Sequence, residues 1–289
     1  MNKDYVENPL WINCVVMGDG LAQALLACRC FIPYIFGGEL PSMENYHPLA
    51  KFPSCIDCAL GTKVQVLWSL LKKMDRPVLV LEDTGSDDHN PARIQSQAEA
   101  LGIEMLVISK WDSIESTIEA LAPLVSDDKR IARTILRLKT EESMIEERLS
   151  KLKVTLHERA PVKVLASLGL RNPQSFMGHH FFCRESNSAL TSLKHTLPLD
   201  LVTLPADPSL PSDLLSINEA TIEAAIAGQP TLWACMGEST GTFAKVHALV
   251  KRFERVPPMY PLPYYDYPLR FQKGSILSSW LEVLETIVM

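Results

Sequence analysis

The 289-residue chain has no run of about 18 apolar residues, the length that a membrane-spanning helix requires. It is therefore not expected to be an integral membrane protein. It also lacks a basic excess: 28 Lys and Arg stand against 34 Asp and Glu, a formal net charge of −6. No nucleic-acid partner is expected, because neutralising phosphates takes a positively charged face. The 13 glycines and 20 prolines are too few for a low-complexity or fibrous chain. The opening residues MNKDYVENP set Lys3 against Asp4 and Glu7, the wrong balance for the start of a secretory leader. Two locations fit: cytoplasmic if Met1 is the native start, periplasmic or cell-surface if a leader was removed. Enzyme signatures are missing as well. Gly18-Asp19-Gly20 lacks the third glycine and the Walker lysine of a phosphate loop. One Gly-x-Ser-x-Gly match occurs, GESTG at 237–241, but Ser239 has no identifiable base, so the hydrolase signature is incomplete. The expectation is a protein that is not an enzyme and has no intrinsic cofactor.

Cysteine is present but in an odd number: Cys14, Cys28, Cys30, Cys55, Cys58, Cys183 and Cys235. A chain this long does not depend on disulfides for its core, and the count favours a reducing compartment. Cys28-x-Cys30 and Cys55-x-x-Cys58 invite a tetrahedral zinc reading. Cys-x-Cys is a poor half of a zinc knuckle, however, and Cys28 falls on an apolar helical pattern, where thiols act as small hydrophobes. Cys55 and Cys58 stay as weak metal candidates, and with the histidines they keep open an alternative to a binding protein: a cytoplasmic metal-binding α/β enzyme of chelatase or metallocluster type. Asp83, Asp87 and Asp88 do not match the EF-hand spacing and read as a solvated acidic loop.

What is present is an alternation of short apolar runs and helical patterns, with 47% hydrophobic residues. LWINCVVM (10–17), FIPYIF (31–36), VLVLE (78–82) and EMLVI (104–108) read as strands. LAQALLACRC (21–30), KVQVLWSLLKKM (63–74) and PARIQSQAEALG (91–102) read as helices, the last opened by Pro91 and closed by Gly102. Such alternation implies a parallel α/β sheet. From Ser126 to Glu158 there is neither Pro nor Gly. Ile131, Ile135, Leu138, Ile145, Leu149, Leu152 and Leu156 recur at helical spacing, with Ser126 and Asp127 as cap and early acid. About 30 residues make a rod of roughly 45 Å. A coiled-coil arm would bring a returning helix of similar length, and none follows. The rod therefore joins two lobes.

After Pro161 the alternation resumes. VKVLASL (162–168) and TLWACM (231–236) read as strands, and SFMGHHFFC (175–183) as a hairpin or second strand. SNSALTSLKHTL (186–197), INEATIEAAIAG (217–228), GTFAKVHALVKRF (241–253) and SILSSWLEVLETIV (275–288) read as helices, and a segment rich in Pro and Tyr precedes the last. The predicted domains are an N-terminal α/β lobe over 1–125, a connecting helix over 126–158 and a C-terminal α/β lobe over 159–289.

Two lobes on one long helix resembles the helical-backbone class of ABC-importer substrate-binding proteins, which serve siderophores, haem and cobalamin. PLAKFPSCIDCALGTKVQVLWSLLKKMDRPVLVL resembles the family's loop leading into a helix and then a lobe strand. PARIQSQAEALGIEMLVISKWDSIESTIEALAPLVSDDKRIARTI is similar to the family's run of helix, strand, short helix pair and backbone helix. VKRFERVPPMYP with SILSSWLEVLETIV is similar to the closing strand, cleft loop and last helix of the hydroxamate-siderophore binders. The resemblance implies two Rossmann-like lobes with a ligand cleft between them. It implies a ferric siderophore, or less readily haem, as ligand, with iron present only inside the bound chelate. It also implies an ABC permease as partner. Members dock on their permease through an acid near each lobe's first helix. Here that turn holds Ala22, Gln23 and Ala24, with Asp19 one turn earlier.

The candidate ligand residues follow. Tyr260, Tyr264, Tyr265 and Tyr267 with Arg270 share a loop stiffened by Pro258, Pro261, Pro263 and Pro268. Tyrosines offer apolar area with a hydrogen-bonding tip, and Arg270 would pair with an anionic ligand or stack on a ring. The plain alternative is tyrosines packed on their own lobe. His179 and His180 adjoin in a strand, so at most one reaches a given cleft. Both are weak metal candidates, and one solvated and one packed histidine is the ordinary outcome. Tyr46, His47, His89 and Arg93 are the first-lobe candidates that would face the cleft.

Overall fold

The computed structural model describes residues 8–37, 47–54, 56–83, 90–108, 113–171, 178–236, 240–262 and 278–288. The chain divides into two units, the first holding the described residues up to Lys139 and the second those from Thr140 onward.

In the first unit, β2 (Cys14–Met17), β4 (Tyr34–Phe36), β5 (Val78–Glu82) and β6 (Glu104–Ile108) form a wholly parallel sheet in the order β4-β2-β5-β6. The two N-terminal apolar runs do not form single strands. Ile12-Asn13 splits the first into β1 (Leu10–Trp11) and β2, and Ile32-Pro33 splits the second into β3 (Cys30–Phe31) and β4. β1 and β3 pair separately, in parallel, and Trp11 stacks on Phe31 at 5.6 Å while staying 60% exposed. Proline has no amide to donate, which accounts for the break at Pro33.

Helix α1 (Asp19–Ala27) follows β2, and Arg29 turns the chain at φ +55° into β3. α2 (Ile56–Leu60) and α3 (Val64–Leu71) precede β5, and α4 (Ala92–Ala100) follows it. Leu67, Trp68, Leu71, Ile94 and Ala98 of α3 and α4 pack on Val15, Met17, Phe36, Leu79 and Leu81. The alternate strand residues Cys14, Val16, Ile35 and Val80 are equally buried. A strand buried on both faces reads as an unbroken apolar run, which is why VLVLE was legible.

After β6 come α5 (Ile114–Ala120), capped reciprocally by Ser113 and Ser116, and the single turn α6 (Ala122–Val125). The long helix α7 spans Asp128–His157. Ser126 does not cap it: at φ +49° Ser126 closes α6 instead, and Asp127 Oδ1 accepts the Arg130 amide at 3.0 Å. In the first unit, Ile131, Thr134 and Leu138 of α7 are buried. Arg130 donates to the carbonyls of Cys28 (3.2 Å) and Asn8 (2.9 Å), and Arg137 to that of Ala27 (2.7 Å). The Cys28 and Ala27 carbonyls stand at the negative end of α1, where no intrahelical donor remains.

In the second unit, Leu152 and Leu156 of α7 are buried, and Arg148 clamps Glu285 through two hydrogen bonds of 3.1 and 2.7 Å. The sheet is built around β7 (Val162–Arg171). On one side β7 pairs in parallel with β11 (Leu232–Met236), itself parallel to β12 (Met259–Leu262). On the other side β9 (Leu199–Leu201) pairs with the start of β7, and β8 (Gly178–Cys183) returns antiparallel along its end. β10 (Leu214–Ser216) lies outside β8. Segment 178–183 is thus a strand of this sheet, and β12 runs through part of the Pro- and Tyr-rich segment. Pro261 is tolerated there because β12 lies at the sheet edge.

α8 (Ser188–Thr196), α9 (Glu219–Ala227), α10 (Thr240–Val250) and α11 (Ser278–Val288) complete the unit. Asn218 caps α9 by accepting the Thr221 amide. Gly228 ends α9 in ordinary helical conformation, and the left-handed residue is Gln229 at φ +53°. Gly228 is needed for space: a Cβ there would meet Val202 Cγ1 at 2.9 Å. Trp233, Phe182 and Leu165 form the core with Ile222, Ala225, Val246 and Val250. The Trp233 indole donates to Ser167 Oγ at 2.9 Å, so this buried N–H is satisfied.

Candidate ligand-binding edges

Each sheet has a point where the chain reverses its direction of winding. In the first it lies between β2 and β5, in the second between β7 and β11. Ligands of open α/β sheets gather at the carboxyl ends of the strands beside such points.

At the first unit's carboxyl edge, β2 ends at Met17, just before Gly18, and β5 ends at Glu82. Gly18 adopts φ +132°, and Glu82 fills the space where a Cβ would stand, with Oε2 2.6 Å from that position. A carboxylate of the chain itself thus lies beside the start of α1, where a phosphate loop would hold its anion. This feature escaped the sequence reading; its only signal was the glycine pair after one strand and the acid closing another. Arg93 stands exposed in the first turn of α4, which follows β5 and so begins at the same edge.

His47 lies elsewhere. The turn His47–Ala50 feeds Lys51 into register with Tyr34, the first residue of β4, so His47 approaches that strand from its amino end. Its side chain is buried, Nε2 has no hydrogen-bond partner among the described residues, and burial pushes its pKa down to about 4. It is a neutral interior imidazole. Tyr46 and His89 lie outside the described residues.

In the second unit, β8 begins opposite the end of β7, with Gly178 against Arg171, His179 against Leu170 and His180 against Gly169. Both histidines therefore sit at the carboxyl edge. The half-buried His180 shares the face of Phe182, which pairs with Ser167 and packs under α9 and α10. Tyr260 pairs with Ala234 and belongs to the other face, that of Leu262. The two do not converge on one face. Tyr260 is half-buried two residues before β12 ends. Tyr264, Tyr265, Tyr267 and Arg270 lie outside the described residues.

Cys14, Cys28, Cys30, Cys183 and Cys235 are free and buried. Burial pushes the Cys14 and Cys28 thiols up to about 12 and raises that of Cys183 as well. Cys14, Cys28 and Cys183 are thus held as protonated core thiols. Cys55 and the Cys58 side chain lie outside the described residues. Among the described residues no three His, Cys, Asp or Glu side chains are placed to hold a metal ion, and no helix is long and apolar enough to cross a membrane.

No protein-family model matches the chain, and no curated protein matches it. Solved structures do. The periplasmic haem-binding protein RhuT from Roseiflexus sp. RS-1, in its apo form, aligns with a TM-score of 0.57 at 12% identity, covering 98% of this chain and all of RhuT. A periplasmic haem-binding protein from Pseudomonas aeruginosa aligns at 0.55 and 13%, covering 96% of this chain and 91% of its own. The siderophore periplasmic binding protein of the fuscachelin gene cluster of Thermobifida fusca aligns at 0.55 and 12%, covering 97% of both. All three are binding proteins, not enzymes. The chain has the fold of these periplasmic haem- and siderophore-binding proteins.

Proposed function

We propose that the chain is the substrate-binding component of an ABC importer and that its cargo is an iron chelate, a ferric siderophore ahead of haem. The observation that carries this reading is the end-to-end likeness, over 96–98% of the chain, to proteins named for binding haem or a siderophore. Iron enters as part of the cargo, and the buried thiols take no share in holding it. The candidate contacts are Arg93, His89, Tyr46, Tyr264, Tyr265, Tyr267 and Arg270, with either His180 or Tyr260, which lie on opposite faces of their sheet. A siderophore presents an anionic, oxygen-rich surface around the metal, which tyrosine hydroxyls and guanidinium groups suit. Haem would need an axial ligand, for which His180 and the tyrosines are the candidates. The protein acts in the periplasm or at the cell surface and hands its cargo to a permease.

Spectroscopic titration tests the reading. Ferric desferrioxamine should quench the tryptophan fluorescence saturably, while haemin should leave the protein without a shifted Soret band. A saturable Soret shift with no response to ferric hydroxamates would reverse the order of ligands. Indifference to both would refute the chelate reading.

A further inference from the structure

The second unit carries two adjoining surface grooves at the end of its sheet opposite the carboxyl edge. One, of about 370 Å³, is lined by Val250, Lys251, Phe253 and Pro258 among others. The other, of about 440 Å³, is lined by Ile226, Gln229, Pro230 and Arg255. Val256 and Pro257 belong to both, so the two are continuous. The floor is firm, because Ile226, Phe253, Val256 and Met259 are half-buried side chains packed on the core of the unit. Pro230, Pro257 and Pro258 fix the backbone on both sides.

The charge along the grooves is of one sign. Lys251 and Arg255 line them, together with His247, and among the described residues no acidic side chain does; Glu254, between the two cations in sequence, lines neither. Arg252, next to Lys251, is engaged by Glu219 at 3.4 Å. Lys251 and Arg255 have no such partner among the described residues. Two uncommitted cations beside an apolar trough, on a chain of net charge −6, complement a ligand with an apolar body and one anionic head.

We infer that this groove is a second binding site, separate from the chelate edge, for a small single-chain amphipathic anion such as a fatty carboxylate. The apolar body lies along Val256, Phe253 and Pro257, and the head pairs with Lys251 and Arg255. The inference does not depend on the chelate reading.

Calorimetric titration with decanoate below its micellar concentration tests it. One saturable site is expected, weakened by added salt. The neutral decyl maltoside should bind about tenfold more weakly, as should decanoate to K251Q/R255Q, if each cation contributes a typical exposed ion pair. Both substitutions are at exposed positions, and circular dichroism will verify that the variant folds. Its titration with ferric desferrioxamine should match that of the unaltered chain, which separates this site from the chelate site. Absence of decanoate binding at millimolar concentration, equal binding of the neutral amphiphile, or undiminished binding by K251Q/R255Q would overturn the inference. So would co-sedimentation with phosphatidylglycerol vesicles in the absence of saturable decanoate binding, which would move recognition to a bilayer surface.

Discussion

Gly18 joins β2 to α1 in a conformation that side chains rarely adopt, with Glu82 packed against its α-carbon. Gly18→Ala should therefore lower stability by about 1–3 kcal/mol, through backbone strain and the displaced carboxylate together. Urea denaturation measures it, and an unchanged midpoint would show that the turn can relax. His47 makes a prediction with a sign. Its pKa is about 4 in the folded protein against 6.5 for the free side chain. Between these values the unfolded chain binds a proton that the folded one does not, so stability falls as pH drops from 6.5 to 4 and levels off below. The full effect is about 3 kcal/mol. His47→Leu should remove that slope and cost little at pH 7, since Nε2 has no partner among the described residues to lose. Denaturation of both proteins at pH 7 and 4.5 decides the matter; parallel losses would place the acid sensitivity elsewhere. Neither the burial of His47 nor the meeting of Gly18 with Glu82 was legible in the sequence, because each depends on a contact between distant segments.

At the scale of elements, legibility followed length and apolar character. VLVLE, EMLVI and LWACM are five-residue strands or contain one, and their apolar runs stood out against polar flanks. β9, β10 and β12 span three or four residues, two of them beside or containing proline, and owe their existence to partners already in the sheet. Such strands leave little periodicity to read. The long helix was legible because heptad-like spacing persisted for eight turns without a breaker, and the structure moves its start by two residues only. Its central stretch offers a direct test. Ile145 is half-buried in mid-helix. A proline there removes one backbone hydrogen bond and clashes with the preceding turn, so Ile145→Pro should cost about 3 kcal/mol or more. A melting temperature equal to that of the parent would contradict an unbroken helix over Asp128–His157.

At the scale of the whole molecule, the α/β alternation on either side of one long helix was visible before any coordinates, since it rests on composition shifts tens of residues long. The pairing of faces was not. His180 and Tyr260 looked like companions in sequence, yet strand register puts them on opposite faces of one sheet. Register has a period of two, and the sequence between the strands does not reveal which parity holds. The central claim, that this fold receives an iron chelate, is tested most directly by calorimetric titration with ferric desferrioxamine and with the metal-free chelator in parallel. The account predicts one ferric chelate per chain with a dissociation constant below about 1 μM, corresponding to more than about 8 kcal/mol, and no saturable heat from the metal-free form. Equal binding of the two forms, or no binding of the ferric form by folded protein, would contradict it.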